Sequence, residues 1–121
     1  MNKPITREDI PEQYRDCLDI EMLNREDQKE AYHLCLQFLE GIEKTKRLNR
    51  KHTSYEYKHY VEGRPHRGYV YEGTFILAAL VAGFQVVQLR DGCLKSILNI
   101  SQRSLRKRVR REWSPEYCGC L

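Results

Sequence analysis

Apolar residues recur at three- and four-residue intervals along much of the chain. The first clear run is Ala31, Leu34, Cys35, Phe38, Leu39 and Ile42. That spacing keeps one face of a helix apolar. Asn24 stands where its side chain can accept from free backbone N–H groups. Glu26, Asp27 and Glu30 fill the first turns, and Lys44, Lys46 and Arg47 the last, which suits the helix dipole. The pattern predicts a long helix over about 25–48. Ahead of it, residues 1–10 read as an N-terminal arm. Pro11 to Asp19 reads as a short helix with Tyr14, Leu18 and Cys17 on one face.

Thr53-Ser-Tyr-Glu56 has the spacing of a capping box, in which the hydroxyl and the carboxylate each satisfy an end amide. It predicts a helix over 54–62 that stops at Gly63 and Pro65, with GRPHRG, 63–68, as a loop. Tyr57, Tyr60 and Val61 share its core-facing side, and Tyr69 and Tyr71 flank Val70 as in an extended segment. Thr74 is placed to cap FILAALVAGF, an apolar helix closed by Gly83. Being apolar nearly all round, it reads as the buried central helix. FQVVQL, then RDG, then CLKSI predicts a β-hairpin over 84–97. Asn99 and Gln102 could box the start of a last helix that carries Leu105, Val109 and Trp113 and ends before Pro115.

The order predicts one α-rich α+β domain over 11–114, of about four or five helices with one short β-hairpin, followed by a tail, 115–121. With 121 residues, 40% of them hydrophobic and 31% charged, the chain can build one thin core. No apolar run reaches the roughly 18 residues of a membrane helix. MNKPITREDIPEQYRD lacks the apolar stretch of a signal peptide. The expected location is therefore the cytoplasm, with no membrane partner. Five cysteines, at 17, 35, 93, 118 and 120, are an odd number without a CxxC pair and are expected as reduced thiols. The ending CGCL resembles a prenylation signal, but its middle residues are not aliphatic.

Charge changes the picture. The net of +4 hides a strong polarity. Residues 1–43 carry five Lys/Arg against eleven Asp/Glu, 44–94 nine against four, and 95–113 seven against one. Either the acidic front folds against the basic back, or the basic part meets a polyanion or an acidic protein surface. The sharpest feature is RSLRKRVRR, whose cations are Arg103, Arg106, Lys107, Arg108, Arg110 and Arg111. Such cations release counterions on meeting phosphates, and arginine forks onto phosphate oxygens. Arg64 and Arg67, beside the tyrosines of 55–71, form a second candidate contact for nucleic acid. A helix-turn-helix would need a three- or four-residue turn, whereas about eighteen residues separate the apolar and basic helices.

Other chemistry is thinly marked. Glu56, His59 and Glu62 share a helical face, but no second Glu-x-x-His faces them, so no metal or cofactor is expected. There is no P-loop, G-x-S-x-G or H-E-x-x-H, and the chain is expected not to be an enzyme. A small metal or acid–base enzyme around His59 is one rival reading. A sequence-specific DNA-binding regulator is the other.

Ser54, Tyr55, Lys58, His59 and Glu62, then Tyr69, Val70, Gly73, Phe75, Ile76, Ala78, Ala79, Gly83 and Phe84, then Asn99, Ile100 and Ser101 form a pattern. It resembles that of small proteins of phages and other mobile elements. The chain departs from it at Glu72, where the pattern has a small polar residue, and in its very basic 103–111. The resemblance implies a mobile-element origin and attaches no activity. Small phage proteins often bind host complexes. The expected function is thus a binding protein whose basic surface engages nucleic acid or a host nucleoprotein complex, including the inhibition of a nucleic-acid-guided (CRISPR-type) defence.

Overall fold

The apolar faces read above meet around one sheet. The computed structural model describes residues 4–63 and 68–113. Its elements are α1 (Ile20–Leu23), α2 (Glu26–Glu40), β1 (Lys44–Asn49), α3 (Ser54–Glu62), α4 (Glu72–Val81), β2 (Val86–Gln88), β3 (Ser96–Ile100) and α5 (Gln102–Lys107). A wide π turn, Arg108–Trp113, continues α5. The result is a helix-rich α+β domain. Among the described residues no helix is long and apolar enough to cross a membrane.

α4 is the central helix, with every residue from Gly73 to Ala79 buried. It packs against α2 and α3. Cys35, Phe38 and Leu39 of α2 and Tyr57 and Val61 of α3 close the core around it. The Tyr57 and Phe75 rings stack at 5.8 Å. Gly83, at φ +93°, takes the left-handed conformation expected after the helix. α3 has the predicted bounds, and the Thr53 N–H donates to Glu56 Oε1 at 2.8 Å.

Five expectations need correction. The long helix stops at Glu40 and does not run to 48, because Gly41 terminates it and the following residues pair with β3. Its cap is Arg25, since Asn24 is drawn away by bonds to Ile5 N, Ile5 O and Ile20 O. Thr74 does not cap α4, which begins at Glu72. The Thr74 hydroxyl is buried and donates to Gln28 Oε1 at 2.9 Å. The last helix is capped by Ser101, whose Oγ accepts from Ser104 N at 3.1 Å, whereas Asn99 lies inside β3. Pro11 to Asp19 forms only a short 3-10 turn, Glu12–Tyr14, although Tyr14 and Leu18 are buried as expected. Ile10, at the end of the expected arm, is buried too.

The hairpin forms, with Val86 opposite Leu98 and Gln88 opposite Ser96. Its connection runs through 89–95, longer than RDG alone, and β3 extends to Ile100. The sheet gains a third, antiparallel strand that sequence reasoning assigned to a helix, giving the order β1-β3-β2.

Candidate nucleic-acid interface

β1 is an edge strand, and it bulges. Lys44 faces Ile100 and Asn49 faces Leu98, so five steps along β1 oppose two along β3. The surplus leaves Lys44, Thr45, Lys46 and Arg47 exposed. Both ends of the bulge are tied to the first turn of α5. Glu43 O accepts from Ser101 N at 2.9 Å, and Glu43 N donates to Ser104 Oγ at 2.8 Å. Asn49 Nδ2 donates to Gln102 Oε1 at 2.9 Å and to Ile100 O at 3.0 Å. The basic bulge therefore arches beside the start of the basic helix.

On α5 and the turn after it, Leu105 and Val109 point into the core. Arg103, Arg106, Lys107 and Arg110 are exposed, spaced as one stripe along a helix. Arg108 departs from the expected role. Its Nε donates to Phe38 O at 3.1 Å and its Nη2 to Gln37 O, so it caps the end of α2. Gly41 makes room for it, since a Cβ there would stand 3.0 Å from Arg108 Cδ. Arg64, Arg67 and the Arg111 side chain lie outside the described residues, as do Cys118 and Cys120.

Among the described residues no ion pair joins the acidic front half to this surface. The front half's ion pairs among the described residues are local: Arg7–Asp16, Arg25–Asp27 and Lys29–Glu26. None among the described residues reaches Lys44, Lys46, Arg47, Arg50, Lys51, Arg103, Arg106, Lys107 or Arg110. Charged side chains on an edge strand also keep a second chain from pairing with it, and that alone would account for β1. It does not account for the stripe on α5.

A second cluster lies on the exposed side of α3, in an open cleft of about 490 Å³. Tyr55, Lys58, His59, Glu62, Tyr69, Tyr71, Glu72 and Leu94 line it. Four of the five α3 residues in the sequence pattern described above, Tyr55, Lys58, His59 and Glu62, meet here. Lys58 Nζ donates to Glu62 Oε2 at 2.9 Å and sits 4.8 Å from the Tyr69 ring and 5.3 Å from that of Tyr55. His59 Nδ1 lies 2.8 Å from Glu62 Oε1. Burial pushes the Glu62 carboxyl up, but the Val70 N–H, Lys58 and His59 outweigh it and hold the group below its ordinary value. Ser54 Oγ donates to Glu72 Oε2 at 2.6 Å and accepts from Ser96 N at 2.9 Å. Gln28, fully buried on α2, fixes the far wall. Its Nε2 donates to Tyr69 O at 3.1 Å, and its Oε1 accepts from Tyr71 N at 2.9 Å.

The tyrosines thus divide. Tyr57 is core and Tyr60 partly buried, while Tyr55 and Tyr69 are about half exposed, at 46% and 52%. Among the described residues no group of three His, Cys, Asp or Glu side chains is arranged to hold a metal. α4 and α5 are joined through β2 and β3 rather than by a tight turn. Gln28 and the β1 bulge were missed by sequence reasoning, and the one local signal was Gly41 ahead of the bulge. No family model matches the chain, and no curated protein or solved structure matches it either.

Proposed function

We propose that this chain is a binding protein, not an enzyme, whose basic face engages the phosphate backbone of a nucleic acid, free or within a nucleoprotein complex. One observation carries the reading: the Lys46–Arg47 bulge and the stripe of Arg103, Arg106, Lys107 and Arg110 stand side by side without a carboxylate partner among the described residues. Clustered cations repel one another, and phosphates relieve that cost while releasing counterions. Inhibition of a nucleic-acid-guided defence complex is one form such binding takes, by competition for the nucleic acid or for the acidic groove that holds it.

The test is oligonucleotide binding across a salt series. Each lost phosphate contact reduces the log–log slope by about 0.7 for a single strand and about 0.9 for a duplex. Arg106→Ala/Arg110→Ala and Lys46→Ala/Arg47→Ala should each flatten the slope by one to two contacts' worth, while Arg108→Ala leaves it unchanged. Absence of binding to any oligonucleotide at low salt overturns the reading.

A further inference from the structure

We infer that the α3 cleft receives one unpaired purine base, with guanine preferred, so that the nucleic acid engaged by the basic face is single-stranded. This rests on the proposed function and deepens it. Tyr69 is 52% exposed, and the Lys58 ammonium sits 4.8 Å from its ring centroid. A cation held against an aromatic ring draws electron density toward itself and leaves the ring a better partner for an electron-rich purine. The backbone that carries the ring is held in place. Tyr69 O is held by buried Gln28, and the next amide, Val70 N, donates to Glu62 Oε2 at 3.0 Å. A stacking platform whose backbone is already fixed loses less entropy on binding.

The cleft offers an acceptor as well as a platform. Glu72 gives one oxygen to Ser54, and its other oxygen has no partner among the described residues. Guanine carries adjacent N–H donors on its Watson–Crick edge, which match a carboxylate. An arginine side chain would present similar donors, but Lys58 is already paired with Glu62, and Lys95, 5.6 Å from the Tyr55 ring, has no ion-pair partner among the described residues and is left to meet a phosphate. A base carried on a phosphate strand gains that contact, and an arginine side chain does not. The path from the basic face is short along the chain. His52 Nε2 lies 3.2 Å from Gln102 Nε2 at the start of α5, and Tyr55 follows His52 by three residues.

The experiment uses the full chain and short oligo-dT strands with one central dG, dA or abasic position, measured by fluorescence anisotropy. The dG strand should bind more tightly than the dA strand, and both more tightly than the abasic one. Tyr69→Ala should weaken the dG strand about tenfold, the usual size of one lost base stack, and Tyr69→Phe should not. Glu72→Gln should abolish the preference for dG over dA while the protein stays folded by circular dichroism. Equal binding of all three strands, unchanged by Tyr69→Ala, overturns the base site and leaves backbone binding standing. Tighter binding to duplex than to single strand, or Tyr69-dependent binding of an arginine peptide with no dG preference, also overturns it. If no strand binds, both readings fall.

Discussion

Lys58, only 5% exposed, donates through Nζ to Glu62 Oε2 one helical turn further along α3. Removing one partner of a buried pair leaves the other charge uncompensated. Glu62→Gln should therefore destabilise the fold by roughly 2–3 kcal/mol, below the usual range for a deeply buried pair because Glu62 is partly exposed. The effect depends on pH. Glu62 titrates lower in the folded than in the unfolded chain, so its contribution is complete above its ordinary value of 4.5 and is lost as pH falls through the lower folded value. Urea unfolding from pH 7 to pH 3 should show wild type and Glu62→Gln converging only at the acid end. A constant gap across that range would show that the charge on Glu62 is irrelevant.

Arg108 is tied to the end of α2. Its guanidinium takes up carbonyls of Gln37 and Phe38 at the end of α2, where backbone acceptors lack helical partners. Arg108→Ala should cost about 1.5–3 kcal/mol, the worth of a charge-assisted hydrogen bond. Arg106→Ala, with an exposed side chain, should stay within about 0.5 kcal/mol of wild type. Thermal melts of the two variants decide it. Equal melting temperatures would return Arg108 to the binding stripe.

What the sequence revealed was local. α3 was legible because its cap, its face and its stop all lie within Thr53 to Gly63, and α4 because nearly every residue is apolar. β1 was not. Lys44, Lys46 and Arg47 read equally well as a helix end, and the strand exists because β3 offers a partner half the chain away. The stop at Gly41 was the available signal. The basic helix was visible, but its division into an outward stripe and an inward Arg108 depends on where α2 ends. The cleft was half visible. α3 supplied Tyr55, Lys58, His59 and Glu62, whereas Gln28, which sets Tyr69 and Tyr71, lies more than forty residues upstream of them.

Tyr57 carries a polar atom without a partner among the described residues. Its ring is fully buried against Phe75, and its hydroxyl has no hydrogen-bond partner among the described residues. A buried polar group left unpaired costs about 1–3 kcal/mol, so deleting it should not weaken the fold. Tyr57→Phe should be neutral or raise stability by up to about 1 kcal/mol. Burial pushes the Tyr57 phenol well up, so the hydroxyl remains protonated across the neutral range and the result should not depend on pH there. A melting temperature clearly below wild type would reveal a bond that this hydroxyl makes.

Gly73 is where α4, the segment around Leu18 and the cleft come together. A Cβ at this position would run into Leu18 Cδ2 and stand 2.5 Å from Tyr71 Cε2. Neither neighbour can simply swing away. Leu18 is buried in the core, and the Tyr71 hydroxyl accepts from Asp19 N at 2.9 Å. Gly73→Ala gains helix propensity but must displace one of them, and overpacking of this kind costs about 1–3 kcal/mol. If Tyr71 yields, its bond to Asp19 breaks and the wall that carries Tyr69 and Glu72 shifts. The variant should then lose base-dependent oligonucleotide binding while keeping its salt-sensitive backbone binding. Urea unfolding and the dG-against-abasic comparison on the same protein test both halves. Unchanged stability would mean that Leu18 relaxes freely. Unchanged base discrimination beside a clear loss of stability would place the strain on Leu18 and leave the cleft intact.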